Sequence, residues 1–179
     1  MTFVRKFGGT LKGEFLRIKG SLIREMTAAD CLYVCLNMRE DDYRETSDLT
    51  FAKTKEAMAR VILNQNGESY TICNKKGNPV LIGGTYYDNP RVGIIWLFAT
   101  DEISKRDWWV TTTFITQLIE VMFQNGSAHR IQALSVGWRE VAHKWLQRIG
   151  LEKEGHLKGF AENGYDVLIF GKIKEQKNG

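Results

Sequence analysis

Two prolines, three cysteines and three histidines are all that the 179 residues contain of these types, and each shortage excludes something. An odd number of thiols at no framework spacing excludes a disulfide-stapled scaffold, and Cys31 and Cys35, four apart, share one helix face as buried thiols. A zinc site takes about four ligands, and His129, His143 and His156 are not grouped with any cysteine, so no metal is expected. Apolar runs are short. Ile94 to Ala99 falls far below the roughly 20 residues that span a bilayer, and the basic N-terminus is not followed by an apolar signal segment. A soluble protein, neither secreted nor membrane-spanning, is expected. With 43% hydrophobic and 26% charged residues, disorder is excluded as the main state. A chain of this size hides roughly 70% of its unfolded surface without a staple.

The net charge of +4 is unevenly placed. Arg5, Lys6, Lys12, Arg17, Lys19 and Arg24 stand against Glu14 alone, so the stretch to Arg24 carries +5 and the rest of the chain −1. Residues 1–20 are read as a basic arm, solvated or touching an acidic surface. Residues 21–174 form one domain, and 175–179 a tail. Nucleic acid is an unlikely partner, because no recognition helix, zinc finger or aromatic RNA-binding motif accompanies the arm.

The elements follow from periodicity. Ser21 to Met26 reads as a strand, Thr27 as an N-cap for a helix from Ala28 to Arg39, and a second helix begins near Asp48 or Thr50 with Phe51, Ala52, Met58, Val61 and Ile62 on its apolar face. Extended segments follow at Tyr70 to Asn74, Pro79 to Tyr87 and Arg91 to Thr100. A long helix covers Ser104 to Gln124, a strand Ile131 to Val136 and a short helix Arg139 to Ile149. A closing hairpin turns at Asn163-Gly164 and returns along Tyr165 to Ile173. Hairpins beside strand-helix-strand crossovers predict an α/β chain with a mixed sheet and helices on both faces.

Several side chains have two readings. Arg39, Asp42 and Glu45, spaced by three, line one face if the first helix continues through them. They form either a solvated, salt-bridged helix end or the lining of a substrate mouth. His143 is a base candidate or, given its polar neighbours, an exposed histidine. Most of the five tryptophans read as packing, with Trp138 suspected of lining a pocket or an interface.

Ile131-Gln-Ala-Leu-Ser-Val136, then Ala142-His-Lys-Trp-Leu-Gln-Arg-Ile-Gly-Leu151, together with the long helix after Gly93-Ile-Ile-Trp-Leu-Phe-Ala-Thr100, resemble the Gcn5-related N-acetyltransferase fold. That resemblance implies three layers, α/β/α, and acetyl-coenzyme A in the gap of a splayed strand pair. Arg39-Glu-Asp-Asp42-Tyr-Arg-Glu45, Trp96-Leu-Phe-Ala-Thr100 and Trp145-Leu-Gln-Arg-Ile-Gly150 further resemble the acetyltransferase-like proteins of tailed bacteriophages, including the internal virion protein A type. The departures are chemical. The loop Thr100-Asp-Glu-Ile-Ser-Lys-Arg106 has no glycine where active members cradle a pyrophosphate, and Leu146 stands where they often place a tyrosine acid.

The resemblance therefore implies, first, a degenerate cofactor site in a protein of virion assembly, partnered by phage structural proteins in the host cytoplasm or the virion. The alternative is an active N-acetyltransferase on a small-molecule or protein amine, using acetyl-coenzyme A. Trp96, Leu97, Phe98, Ala99 and Thr100 would then hold the pantetheine, Ser104, Lys105 and Arg106 the pyrophosphate, and Ser135 and Glu45 would be the catalytic candidates. A nucleic-acid module delivered by the arm is the third reading.

Overall fold

The computed structural model describes residues 16–18 and 21–175. Its order is β1 (Leu16–Ile18), β2 (Ser21–Glu25), α1 (Ala28–Leu36), α2 (Glu40–Leu49), α3 (Lys55–Leu63), β3 (Gly67–Cys73), β4 (Pro79–Asn89), β5 (Val92–Ala99), α4 (Lys105–Asn125), β6 (Arg130–Val136), α5 (Glu140–Arg148), β7 (Glu152–Leu157) and β8 (Val167–Ile173). One sheet runs β1-β2-β3-β4-β5-β6-β8-β7. All its pairings are antiparallel except β5 with β6. The expected mixed sheet is present, and the expected arm ends inside it, because Leu16–Ile18 pairs with β2.

Helices cover both faces. On one, α1 and α3 place Val34, Cys35, Met58 and Ile62 against Ile82 and Phe98. On the other, Val110 and Phe114 of α4 meet Ile23, Ile72 and Leu81, while Ile119 and Met122 join Leu146 of α5 and Ile149 just after it over Ile131, Ala133 and Phe170. Burying these side chains stabilises the layers by roughly 1.5–3 kcal/mol each. Capping boxes start two helices, Thr27 with Asp30 in α1 and Ser104 with Asp107 in α4. Gly126, at φ 79°, ends α4 in the left-handed conformation that favours glycine. Gly93 allows close packing at the start of β5, since a Cβ there would lie 2.7 Å from Thr85 Cγ2 and 2.8 Å from Ile131 Cδ1.

The first helices differ from expectation. α1 stops at Leu36, Met38 bridges to Thr100, and the charged stretch forms its own helix, α2. The helix expected from Asp48 or Thr50 begins only at Lys55, leaving Phe51 fully exposed. An apolar stripe could not reveal α2, because its one fully buried side chain is Asp42. Among the described residues no helix is long and apolar enough to cross a membrane.

Candidate functional site

β5 and β6 are paired only from Val92–Arg130 to Ile94–Gln132 and then part. Strand alternation fixes what faces the opening. Ala99 turns its N–H to Asp42 Oδ2 (3.0 Å) and its C=O to Arg39 N (2.9 Å), so Leu97, two residues earlier, turns its main-chain groups the same way. Val136 N donates to Glu45 Oε1 (2.9 Å), so Leu134 faces the opening from the other side. Among the described residues, neither leucine has a strand across the gap to pair with.

α2 spans the wide end of this gap. Asp42 Oδ1 accepts from Arg39 (2.8 Å) and Arg139 (2.7 Å), and Oδ2 from Arg39 Nε (3.0 Å) as well as from Ala99. Glu45 Oε1 also accepts from Ser135 Oγ at 2.7 Å, and Arg139 Nε lies 3.3 Å from Glu45 Oε2. One turn of polar helix therefore ties both parted strands, and Arg39 and Arg139 together balance the two carboxylates. Burial pushes the Glu45 carboxyl above its ordinary value, although Arg139, the Ser135 hydroxyl and the Val136 amide pull the other way.

A cavity of about 1360 Å³ occupies the gap and both its mouths. Its walls are largely apolar, and the charged side chains bordering it are Arg39, Arg44, Lys105, Arg139, Lys144 and Arg148 against Asp41, Glu45 and Glu140. The rim is cationic. Between α4 and α5, Trp108 meets Trp145 edge-on at 6.0 Å, and Trp145 Nε1 donates to Thr112 Oγ1 at 3.0 Å. Trp138 borders the cavity too, beneath the guanidinium of Arg44 at 4.7 Å.

The ten expected site residues divide. Trp96, Leu97, Phe98, Lys105, Ser135 and Glu45 border the cavity; Ala99, Thr100, Ser104 and Arg106 do not. Ala99 is occupied by α2 as above, and Thr100 donates its N–H to Val80 O. Ser104 exchanges hydrogen bonds with Asp107, whose carboxylate accepts from Ser104 N (3.1 Å) and Oγ (2.6 Å). That carboxylate, also reached by Ser21 Oγ at 3.0 Å, places a negative charge at the α4 N-terminus, where an anion would otherwise be favoured.

His143 is neither an exposed residue nor at the cavity. It is half-buried, with Nε2 3.0 Å from Val136 O and its ring stacked on Phe170 at 5.3 Å, and burial lowers its pKa. Lys144, Arg148 and Gln65 were not singled out as site residues. Lys144 and Arg148, four apart on α5, carried a sequence signal only as an ordinary basic helix face. Among the described residues no group of three histidines, cysteines or acidic side chains could hold a metal.

Solved structures share this fold. One is a ribosomal-protein-S5-alanine acetyltransferase from Vibrio fischeri, 16% identical, TM-score 0.69, over 92% of this chain and 99% of that one. The chain has the Gcn5-related N-acetyltransferase fold. An acetyltransferase of that family from Bacillus anthracis matches at 16% identity and TM-score 0.68, over 90% of this chain and 99% of the other. A spermidine N-acetyltransferase variant from Vibrio cholerae matches at 14% and 0.65, over 88% and 95%. A ribosomal L7/L12 N-acetyltransferase in complex with coenzyme A matches at 10% and 0.69, over 89% and 98%. No family model and no curated protein matches the sequence.

On this fold the gap is where the coenzyme would be tested against the residues present. The main chain of Leu97 and the apolar walls suit a pantetheine arm. The glycine cradle is absent, and Lys105, Lys144 and Arg148 are the cations that would hold phosphates in its place.

Proposed function

We propose that the protein is an acetyl-coenzyme A-dependent N-acetyltransferase whose phosphates are held by cationic side chains rather than by a glycine loop. The observation carrying this reading is the opening between β5 and β6, edged by the main chains of Leu97 and Leu134 and rimmed by six basic side chains. Acetyl-coenzyme A, when bound, supplies a thioester from which an amine takes the acetyl group, a C–N bond forming as C–S breaks, with one proton leaving the amine and one reaching the thiolate. Glu45 accepts the amine proton. Ser135 and the Val136 amide hold the Glu45 carboxylate towards the β6 end of the gap, and Arg139 beside it opposes the burial that raises its pKa.

Calorimetric titration with acetyl-coenzyme A tests the reading. Micromolar affinity, about 8 kcal/mol, is expected, and no heat at millimolar ligand would remove the proposal. The pH profile gives a second check. Because the Glu45 carboxyl is raised, acetyl transfer is expected to fall with acidification at a higher pH than the roughly 4.3 of a free glutamate, and Glu45→Gln should abolish that limb and slow transfer about 10²–10⁴-fold. A profile unchanged by the substitution would exclude Glu45 as the base.

A second reading is favoured by one specific observation, the Asp107 carboxylate capping α4, together with Leu146, which is buried and offers no proton. On it the fold is non-catalytic and serves virion assembly, as the phage resemblance implies. Stoichiometric co-purification with phage structural proteins, and no coenzyme binding, would establish it in place of the first.

A further inference from the structure

Acetyl transfer needs a proton for the departing thiolate, and Leu146, buried, offers none. A donor can be placed by register. Three residues beyond the last β5–β6 pair, Ile94 with Gln132, stand Leu97 on β5 and Ser135 on β6, so a hydroxyl is level with the main chain that would hold the pantetheine arm. Its face follows from alternation. Ala133, two residues earlier, packs with Leu146 on the α4–α5 side of the sheet, where Leu97 also packs. Ser135 is 2% exposed and borders the cavity.

Its partner sets it apart from other hydroxyls bordering the cavity. Thr112, Thr113 and Thr116 each donate to a carbonyl one turn back on α4, at 2.7, 2.9 and 2.9 Å, and a carbonyl has no proton to return. Ser135 Oγ donates instead to Glu45 Oε1 at 2.7 Å, a carboxylate that takes up a proton during transfer. We infer that Ser135 is the acid that protonates the leaving thiolate, recharged by Glu45. While Glu45 is ionised, the Ser135 proton points at it. Once Glu45 holds the amine's proton, its O–H donates to Ser135 Oγ, the hydrogen bond reverses, and the Ser135 proton is free to turn to sulfur. Ser135 gives up its proton as Glu45 replaces it, so no alkoxide forms. The C–N bond forms, C–S breaks, sulfur gains one proton for the one the amine loses, and both residues end as they began. This rests on the transferase reading of the gap and adds the proton's route to it.

Proximity is tested first, without turnover. Ser135→Cys treated with the 2-pyridyl mixed disulfide of coenzyme A is expected to become disulfide-bonded to the coenzyme at that position, releasing 2-thiopyridone. Intact mass reads the adduct, and desulfo-coenzyme A should block it. The wild type should stay unlabelled, because Cys31, Cys35 and Cys73 are fully buried. A variant that binds coenzyme A but is not labelled would overturn the inference alone; failure of the wild type to bind coenzyme A removes it together with the transferase reading. Kinetics then separate an acid from a prop for Glu45. With acetyl-coenzyme A, Ser135→Ala should slow transfer about 10²–10⁴-fold. With the acetyl thioester of 5-thio-2-nitrobenzoate, whose thiolate leaves without a proton, the same variant should stay within about threefold of wild type, whereas Glu45→Gln slows both. Equal losses with the two donors would show that Ser135 only positions Glu45, and would overturn the assignment.

Discussion

Replacing Asp42 with alanine is expected to destabilise the protein by about 3–5 kcal/mol, the range for removing one partner of a buried ion pair. Asp42 is 2% exposed and accepts four hydrogen bonds, two from Arg39, one from Arg139 and one from the Ala99 amide. Alanine would leave two guanidinium groups and a main-chain N–H without their acceptor. For a chain of this length each kcal/mol lowers the melting temperature by roughly 2–4 °C, so a drop of about 6–20 °C should appear in a thermal melt. Asp42→Asn keeps one acceptor oxygen and the side-chain shape, and its loss should be smaller. A change below about 1 kcal/mol for the alanine variant would show that the α2 clasp across the gap is energetically idle.

The second large effect is on ligand binding. Lys144→Glu with Arg148→Glu is expected to weaken acetyl-coenzyme A binding on the order of a hundredfold or more. Charge-assisted contacts contribute about 1.5–3 kcal/mol each, and the reversal adds repulsion. Both side chains are exposed on α5, so the melting temperature should stay nearly constant, surface changes usually altering stability by about 0.5 kcal/mol or less. Unchanged affinity, measured calorimetrically, would show that these cations do not hold the phosphates.

Two buried carboxylates respond to pH in opposite directions. Burial would raise Asp30, but hydrogen bonds from Arg24 and Thr27 outweigh it and hold its pKa low, so its contribution to stability is present above the ordinary aspartate range and is lost as pH falls through its lowered value. Glu45 is raised, so its contribution is full in acid and is lost as pH rises from the ordinary glutamate range through the raised value. Ionising the carboxylate proposed for proton transfer therefore costs the fold stability, whereas ionising Asp30 favours it.

The long helix was legible because its apolar stripe repeats with the helical period. The closing strand pair was legible, but Asn163-Gly164 lies within a longer connection, 158–166, between β7 and β8 rather than forming its turn alone. α2 was not, since Glu40–Leu49 turns a carboxylate rather than an apolar face inward, and an ion pair with Arg139, 97 positions on from Asp42, leaves no local periodicity. Ser104, a phosphate ligand on the family resemblance, has its hydroxyl engaged in the fold by Asp107 of its own capping box.

The sequence by itself determined the order of elements apart from β1 and α2, the mixed sheet and which strands and helices carry the core, because those depend on periodicities of two and 3.6 within short windows. Only the tertiary structure decided where the sheet opens, which carboxylate is clasped and which is raised. Each of these depends on groups from β5, β6, α2 and α5 meeting at one place. Burial and hydrogen-bond pairing are properties of that meeting, not of any residue in the chain order.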